Sequence, residues 1–208
     1  VAAPPSKSFA HRLLLCAALA QGDSVIHNVA QSEDMLATLD CIAALGARYR
    51  LDNGSVAVTG RAGAQAADAC FPCRESGSTL RFFIPAALLA GQRARFTGTA
   101  RLMERGVGIY EALFAERGIR LQREAEALTV QGALPPGRYT LRGNVSSQFV
   151  SGLLMALPLL DGDSVIEVLP PVESRAYIDI TLACMRRFGV TAEEVSPNVF
   201  RIPGRQAY

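Results

Sequence analysis

The sequence has no tryptophan, one lysine and two histidines, and these scarcities narrow what the chain can be. His11 and His27 are too few, and the cysteines too scattered, to compose a zinc site: Cys70 and Cys73 form a lone CxxC with no second pair. Five cysteines, an odd number, also argue against a disulfide framework. Cys16, Cys41 and Cys184 fall in apolar helical patterns, as reduced core thiols do. No apolar run reaches membrane-spanning length. The longest, Phe82 to Ala90, has nine residues, includes Pro85 and reads as a buried helix. A net charge of +2 is too small for a nucleic-acid partner. Val1–Pro5 lacks the basic and apolar regions of a signal peptide, so a cytoplasmic protein is expected. The missing initial Met suits a piece excised from a longer chain.

Half of the residues are hydrophobic and 19% are charged, which excludes a disordered chain. With 208 residues the chain can bury a core, as one large domain or two small ones. Arginine supplies twenty of the 21 basic residues, leaving Lys7 as the only lysine. A GC-rich genome accounts for the preference for arginine, but not for the one lysine that survives. A compact ammonium behaves differently from a guanidinium fork beside phosphate, so Lys7 is a candidate site residue.

The chain repeats itself. In Lys7–Gly60, Ser78–Gly132 and Ser146–Gly204, hydroxyl residues lead into an apolar helix ending near Gly22, Gly91 or Gly162. A short strand follows, then a second helix to Gly46, Gly118 or Gly189, then two strands closing at Gly60, Gly132 or Gly204. The three glycine series are spaced by 69 and 71, 72 and 71, and 72 and 72 residues. A period near seventy suits a compact supersecondary unit used three times rather than a solenoid. Strands before copies two and three are predicted around Ala69–Phe71 and Tyr139–Leu141; before copy one only Val1–Pro5 is available, a shortened strand. The unit is strand–helix–strand–helix–strand–strand, with repeats at about 1–66, 67–137 and 138–208. Phe82–Ala90 and Val150–Leu160 are apolar on nearly every face, so the first helices are expected inside, around a pseudo-threefold axis. The second helices carry more charge and are expected outside. The helix-terminal glycines suit left-handed caps. The fold class is α/β (α+β).

The first helices begin with Pro5-Ser6-Lys7-Ser8, Glu75-Ser76-Gly77-Ser78-Thr79 and Asn144-Val145-Ser146-Ser147-Gln148. Capping explains each serine or threonine taken alone. Triplication places the three starts at one end, where free N–H groups, hydroxyls and positive dipole ends suit an anion. Lys7, Arg12 and Arg81 add positive charge there.

Pro5-Ser6-Lys7-Ser8-Phe9-Ala10-His11-Arg12 resembles the lysine-bearing motif of the enolpyruvyl transferases of the shikimate pathway. Glu75-Ser76-Gly77-Ser78-Thr79-Leu80-Arg81 is similar to their glycine loop. Gly143–Phe149 and Glu173–Thr181 resemble two further segments, in the family's order and over nearly the whole chain. The resemblance implies one lobe of an inside-out α/β barrel, with a second lobe outside this sequence. It implies transfer of the enolpyruvyl group of phosphoenolpyruvate to the 5-hydroxyl of shikimate 3-phosphate, by a monomer without metal or organic cofactor. Ser8 and Arg12 would hold the shikimate carboxylate, and Ser146, Ser147 and Ser174 the 3-phosphate, with Gln148 and Tyr177 against the ring. Lys7, the catalytic candidate, would contact phosphoenolpyruvate together with Gly77, Arg105 and Gln148. Alternatives are packing for Tyr177, capping for Ser174, and pairing of Arg105 with Glu104 or Glu111. Pro5, Glu75, Phe82 and Gly106 depart from the family pattern; Glu75 puts a carboxylate near the anion site, which should weaken phosphoenolpyruvate binding unless a cation such as Arg74 neutralises it. Neither histidine sits in a demanding motif, and Glu33 and Asp34 head a helix where acids are ordinary, so this chain offers no convincing acid–base group; the resemblance implies that the principal carboxylates belong to the second lobe. One rival is the related transferase acting on UDP-N-acetylglucosamine, which lacks the serine pair with glutamine and carries a cysteine where Gly91–Gly118 has none. Another is an anion-binding module without chemistry.

Overall fold

The computed structural model describes residues 4–61 and 66–208. The chain opens with α1 (Lys7–Leu19), β1 (Gln21–Ile26), α2 (Glu33–Ala44), β2 (Arg48–Asp52) and β3 (Ser55–Arg61). Next come β4 (Ala69–Arg74), α3 (Gly77–Ala87), β5 (Arg93–Gly98), α4 (Ala100–Glu104), α5 (Gly108–Ala115), β6 (Arg120–Arg123) and β7 (Ala127–Gln131). The last stretch is β8 (Arg138–Arg142), α6 (Ser147–Ala156), β9 (Ser164–Leu169), α7 (Arg175–Arg187), β10 (Glu193–Ser196) and β11 (Val199–Ile202). Among the described residues no helix is long and apolar enough to cross a membrane.

Among the described residues the strands form three sheets. Two share one plan, β4-β5-β7-β6 and β8-β9-β11-β10, with the first two strands parallel and the others antiparallel. Parallel neighbours need a crossover between them, and α3 and α6 provide it. The remaining sheet, β1-β3-β2, is antiparallel throughout. The shortened strand expected at Val1–Pro5 falls largely on residues 1–3, outside the described residues. The pleat of β4 buries Phe71 and Cys73 and turns Cys70 outward, so the two thiols of the CxxC face opposite sides.

The apolar first helices are buried as their composition requires: Thr79–Ala87 of α3, Phe149–Ala156 of α6, and all of Ala10–Leu19 in α1 except Leu13. The helix α7 is amphipathic, burying Ile178, Leu182 and Met185 while Arg186 and Arg187 stay in solvent. Between α3 and α6 the approach is close enough to need glycine. A Cβ on Gly152 would lie 2.5 Å from both the Arg81 carbonyl oxygen and the Tyr110 hydroxyl. That hydroxyl lies 2.9 and 3.0 Å from the Arg81 and Phe149 carbonyls, which fastens α5 to both helices.

Two expectations need correction. The second helix of the middle stretch is broken into α4 and α5, because Gly106 adopts φ +76° between them and no right-handed helix passes through that conformation. The helix-terminal glycines are not uniform caps. Gly46, Gly91, Gly118 and Gly189 take positive φ just after their helices, but α1 and the turn after α6 end on extended Ala20 and Leu160. Gly22 and Gly162 are therefore not helix caps.

Candidate functional site

The starts of α1, α3 and α6 meet the start of α7 around one cleft of about 290 Å³. Its lining is Lys7, Ser8, His11 and Arg12 from α1, Ser78 and Phe82 from α3, Ser146, Ser147 and Gln148 from α6, and Ser174 and Tyr177 from α7. Eight of the ten predicted site residues thus come together. The other two stand beside the cleft. A Cβ built on Gly77 would lie 3.9 Å from Gln148 Oε1, and Arg105 lies exposed after α4 with its carbonyl 3.5 Å from Arg81 Nη2.

Capping accounts for only some of the hydroxyls. Ser76 accepts from the Thr79 N–H at 3.3 Å and Ser146 from the Gln148 N–H at 3.4 Å. Ser174, the N-cap of α7, sits at φ +59° and makes no side-chain cap bond. Among the described residues the hydroxyls of Ser8 and Ser147 make no hydrogen bond either, which leaves them available to a ligand. Tyr177 is 43% exposed rather than packed, and Glu111 is held by Arg123 rather than Arg105.

The two cations of α1 live in different surroundings. Arg12 is buried, donating from Nε to Thr181 Oγ1 at 2.6 Å, from Nη1 to the Ser8 carbonyl at 2.8 Å and from Nη2 to Ser151 Oγ at 3.1 Å. The Phe82 ring flanks its guanidinium at 4.8 Å and the Tyr177 ring at 5.9 Å. Every partner is neutral, and burial pulls the guanidinium pKa down to about 10. Lys7 is exposed, with Nζ 2.7 Å from Asp34 Oδ2. His11 lies between them, its Nδ1 2.6 Å from Thr38 Oγ1 and its Nε2 buried with no partner among the described residues. Burial lowers its pKa to about 4; Asp34 opposes that shift, and Lys7 and Arg12 reinforce it. The imidazole is neutral at neutral pH.

Sequence reasoning passed over His11, Ser78, Phe82 and Asp34. Ser78 and Phe82 sit in or next to a family-like motif, which was a usable signal. Asp34 gave none, since an acid in the first turn of a helix is ordinary. Arg74 does not neutralise Glu75. Arg74 is committed to Glu33 at 2.6 Å and Asp40 at 2.9 Å, and Glu75 instead faces Arg101 at 3.7 Å, in solvent.

Fold and cleft together define a class: an α/β protein that gathers helix N-termini and cations around a small anion-sized cavity. The family model described as EPSP synthase (3-phosphoshikimate 1-carboxyvinyltransferase) matches residues 1–207, and the chain belongs to that family. It is 44% identical over 207 residues to the 3-phosphoshikimate 1-carboxyvinyltransferase of Clostridium kluyveri, covering 99% of this chain and 49% of that relative. The Clostridium perfringens (strain 13) protein of the same name is 41% identical over 208 residues, with the same coverage. The chain therefore spans about half the length of the curated relatives it matches. EPSP synthase from Acinetobacter baumannii shares the fold with a TM-score of 0.80 at 23% identity, over all of this chain and 47% of that one.

Proposed function

We propose that this chain is the shikimate 3-phosphate half of an enzyme that transfers the enolpyruvyl group of phosphoenolpyruvate to the 5-hydroxyl of shikimate 3-phosphate, with release of phosphate. The carrying observation is Arg12: a buried cation, bonded only to neutral oxygens, lining a cleft where hydroxyls stand free. Such a cation lowers its free energy when an anion arrives. In this reading Arg12 and Ser8 take the carboxylate, Ser146, Ser147 and Ser174 the 3-phosphate, and Gln148 and Tyr177 the ring. Lys7, with Gly77 and Arg105 nearby, meets phosphoenolpyruvate. The chain is one lobe of an inside-out barrel, built of repeats 1–66, 67–137 and 138–208 about a pseudo-threefold axis. A second lobe supplies most acid–base groups and closes the site against water, so the lobe alone binds but does not turn over. We place it in the cytoplasm as a monomer.

Calorimetric titration with shikimate 3-phosphate tests this. Ser146→Ala with Ser147→Ala weakens binding by roughly 2–4 kcal/mol, from ~1.5–3 kcal/mol per charged hydrogen bond and some non-additivity. Unchanged affinity would reduce both serines to helix-start residues without a ligand role.

A further inference from the structure

One buried cation beside the cleft has no task in that reading. Arg81 of α3 is 9% exposed, and no carboxylate among the described residues pairs with it. Its guanidinium points at α6 and at the loop between α4 and α5. Nη1 donates to Gln148 Oε1 at 2.6 Å, Nη2 lies 3.5 and 3.4 Å from the Arg105 and Gly106 carbonyls, and the Phe149 ring lies 4.9 Å from the guanidinium carbon. Burial, and after it the charge of Arg105, lowers its pKa from the usual arginine value, so two cations crowd this loop.

The consequence falls on Gln148. A guanidinium only donates, so it takes the amide oxygen and leaves the amide nitrogen to the other side. There Nε2 donates to Ser78 Oγ at 2.7 Å, at the lining of the cleft. With Oε1 bonded to Arg81 and one amide hydrogen on Ser78, Gln148 keeps a second N–H for a ligand. The pairing also joins the start of α6 to the loop that carries Arg105.

We propose that Arg81 is a positioning residue: it fixes Gln148 as an N–H donor toward the cleft and ties that donor to the Arg105 loop. The identity of the ligand rests on the function proposed above; the strut itself does not. Arg81 is not among the residues lining the cleft, which separates its role from that of Arg12.

The test uses the full 208-residue chain. In nitrogen–proton spectra the Gln148 side-chain amide is expected dispersed in the parent and collapsed toward free-glutamine positions in Arg81→Lys, with backbone resonances retained. In calorimetry with shikimate 3-phosphate, Arg81→Met and Gln148→Ala each weaken binding by about tenfold, as loss of one oriented hydrogen bond does. The double variant binds within about twofold of Gln148→Ala alone, because one residue acts through the other. Arg81→Lys does not rescue affinity, because the lysine ammonium lacks the planar fork that spans Gln148 Oε1 and the Arg105 and Gly106 carbonyls together. Gln148→Glu keeps an acceptor for Arg81 while losing the N–H, so it melts no lower than the parent yet binds about tenfold weaker. Rescue by lysine, multiplying losses, or an undisturbed Gln148 amide in Arg81→Lys would each overturn the proposal. A parent chain that does not bind shikimate 3-phosphate overturns the function instead, and the Gln148 resonances still decide the strut. Should Arg81→Met not fold, the lysine and Gln148→Glu variants decide between the same outcomes.

Discussion

Lys7 and Arg12 stand on one helix and face one cleft, yet the surroundings give them opposite energetics. The lysine side chain is 56% exposed and already holds a carboxylate at 2.7 Å. Its charge is screened and compensated, and an arriving anion must compete with Asp34. Arg12 has lost its water and received only carbonyl and hydroxyl oxygens in return. Coulombic attraction grows as the effective dielectric falls, so the same ligand charge is worth more at Arg12. Affinity in this site should follow the buried cation, with the exposed one adjusting it.

The largest effect is therefore expected at Arg12. If Arg12 holds the ligand carboxylate as proposed above, Arg12→Met removes two charge-assisted bonds to it and should cost roughly 3–5 kcal/mol of shikimate 3-phosphate affinity. Stability should move little, within about 1 kcal/mol, since an apolar chain of similar length replaces a desolvated charge. Ser151 and Thr181, the hydroxyls left behind, already lie 2.8 Å from each other. Calorimetry and urea unfolding on the same sample read both numbers. A variant that unfolds while a refolded remnant binds normally would reverse the comparison and make Arg12 structural.

His11 sharpens the contrast from the side of stability. It titrates near pH 4 in the folded chain against an ordinary 6.5, chiefly because it is buried. Between those values the unfolded chain takes up a proton that the folded chain refuses. Stability is thus unaffected above about pH 6.5, falls as pH drops from there to about 4, and levels below, losing at most ~3 kcal/mol in all. Asp34 eases protonation while Lys7 and Arg12 resist it, so the imidazole reports the balance of Asp34 against the two cations. Urea midpoints for the parent and His11→Asn across this range check it; equal slopes in the two proteins would mean that His11 contributes nothing to the acid limb.

Much of this was legible in the sequence, for physical reasons that also set the limit. Apolar stretches such as Phe82–Ala90 have no polar face to show water, so their burial could be read directly. Serines, a lone lysine and an arginine at helix starts pointed to the cleft because helix termini expose N–H groups whatever the tertiary fold. What could not be read were partnerships across helices. Thr38 serves His11 at 2.6 Å, while Ser151 and Thr181 serve Arg12, yet each is a mid-helix hydroxyl that looks like filler. Lys7 and Asp34 are 27 positions apart, on different helices. Only the packing of α1 on α2 makes them a pair. The break at Gly106 escaped for a different reason, because one glycine inside a helical pattern is often tolerated.

The smallest expected effect is the one that separates compensation from burial most cleanly. If Asp34 competes with ligand for Lys7, then Asp34→Asn should tighten inorganic phosphate binding to the cleft, and by less than about 1 kcal/mol because both groups are partly in solvent. The gain should fade between low and physiological salt, as screening removes a surface interaction. Lys7→Met should abolish it, since the carboxylate then has no ammonium to withhold. Arg12→Met should leave the ratio between Asp34→Asn and its parent unchanged, for Arg12 makes no bond to Asp34. Six proteins (the parent, Lys7→Met and Arg12→Met, each with and without Asp34→Asn) and two salt concentrations complete the cycle by calorimetry. Weaker phosphate binding in Asp34→Asn would mean that the carboxylate holds the ammonium in place for the ligand. Lys7 would then owe its position to Asp34 as Arg12 owes its own to Ser151 and Thr181, and the two cations would differ in exposure alone.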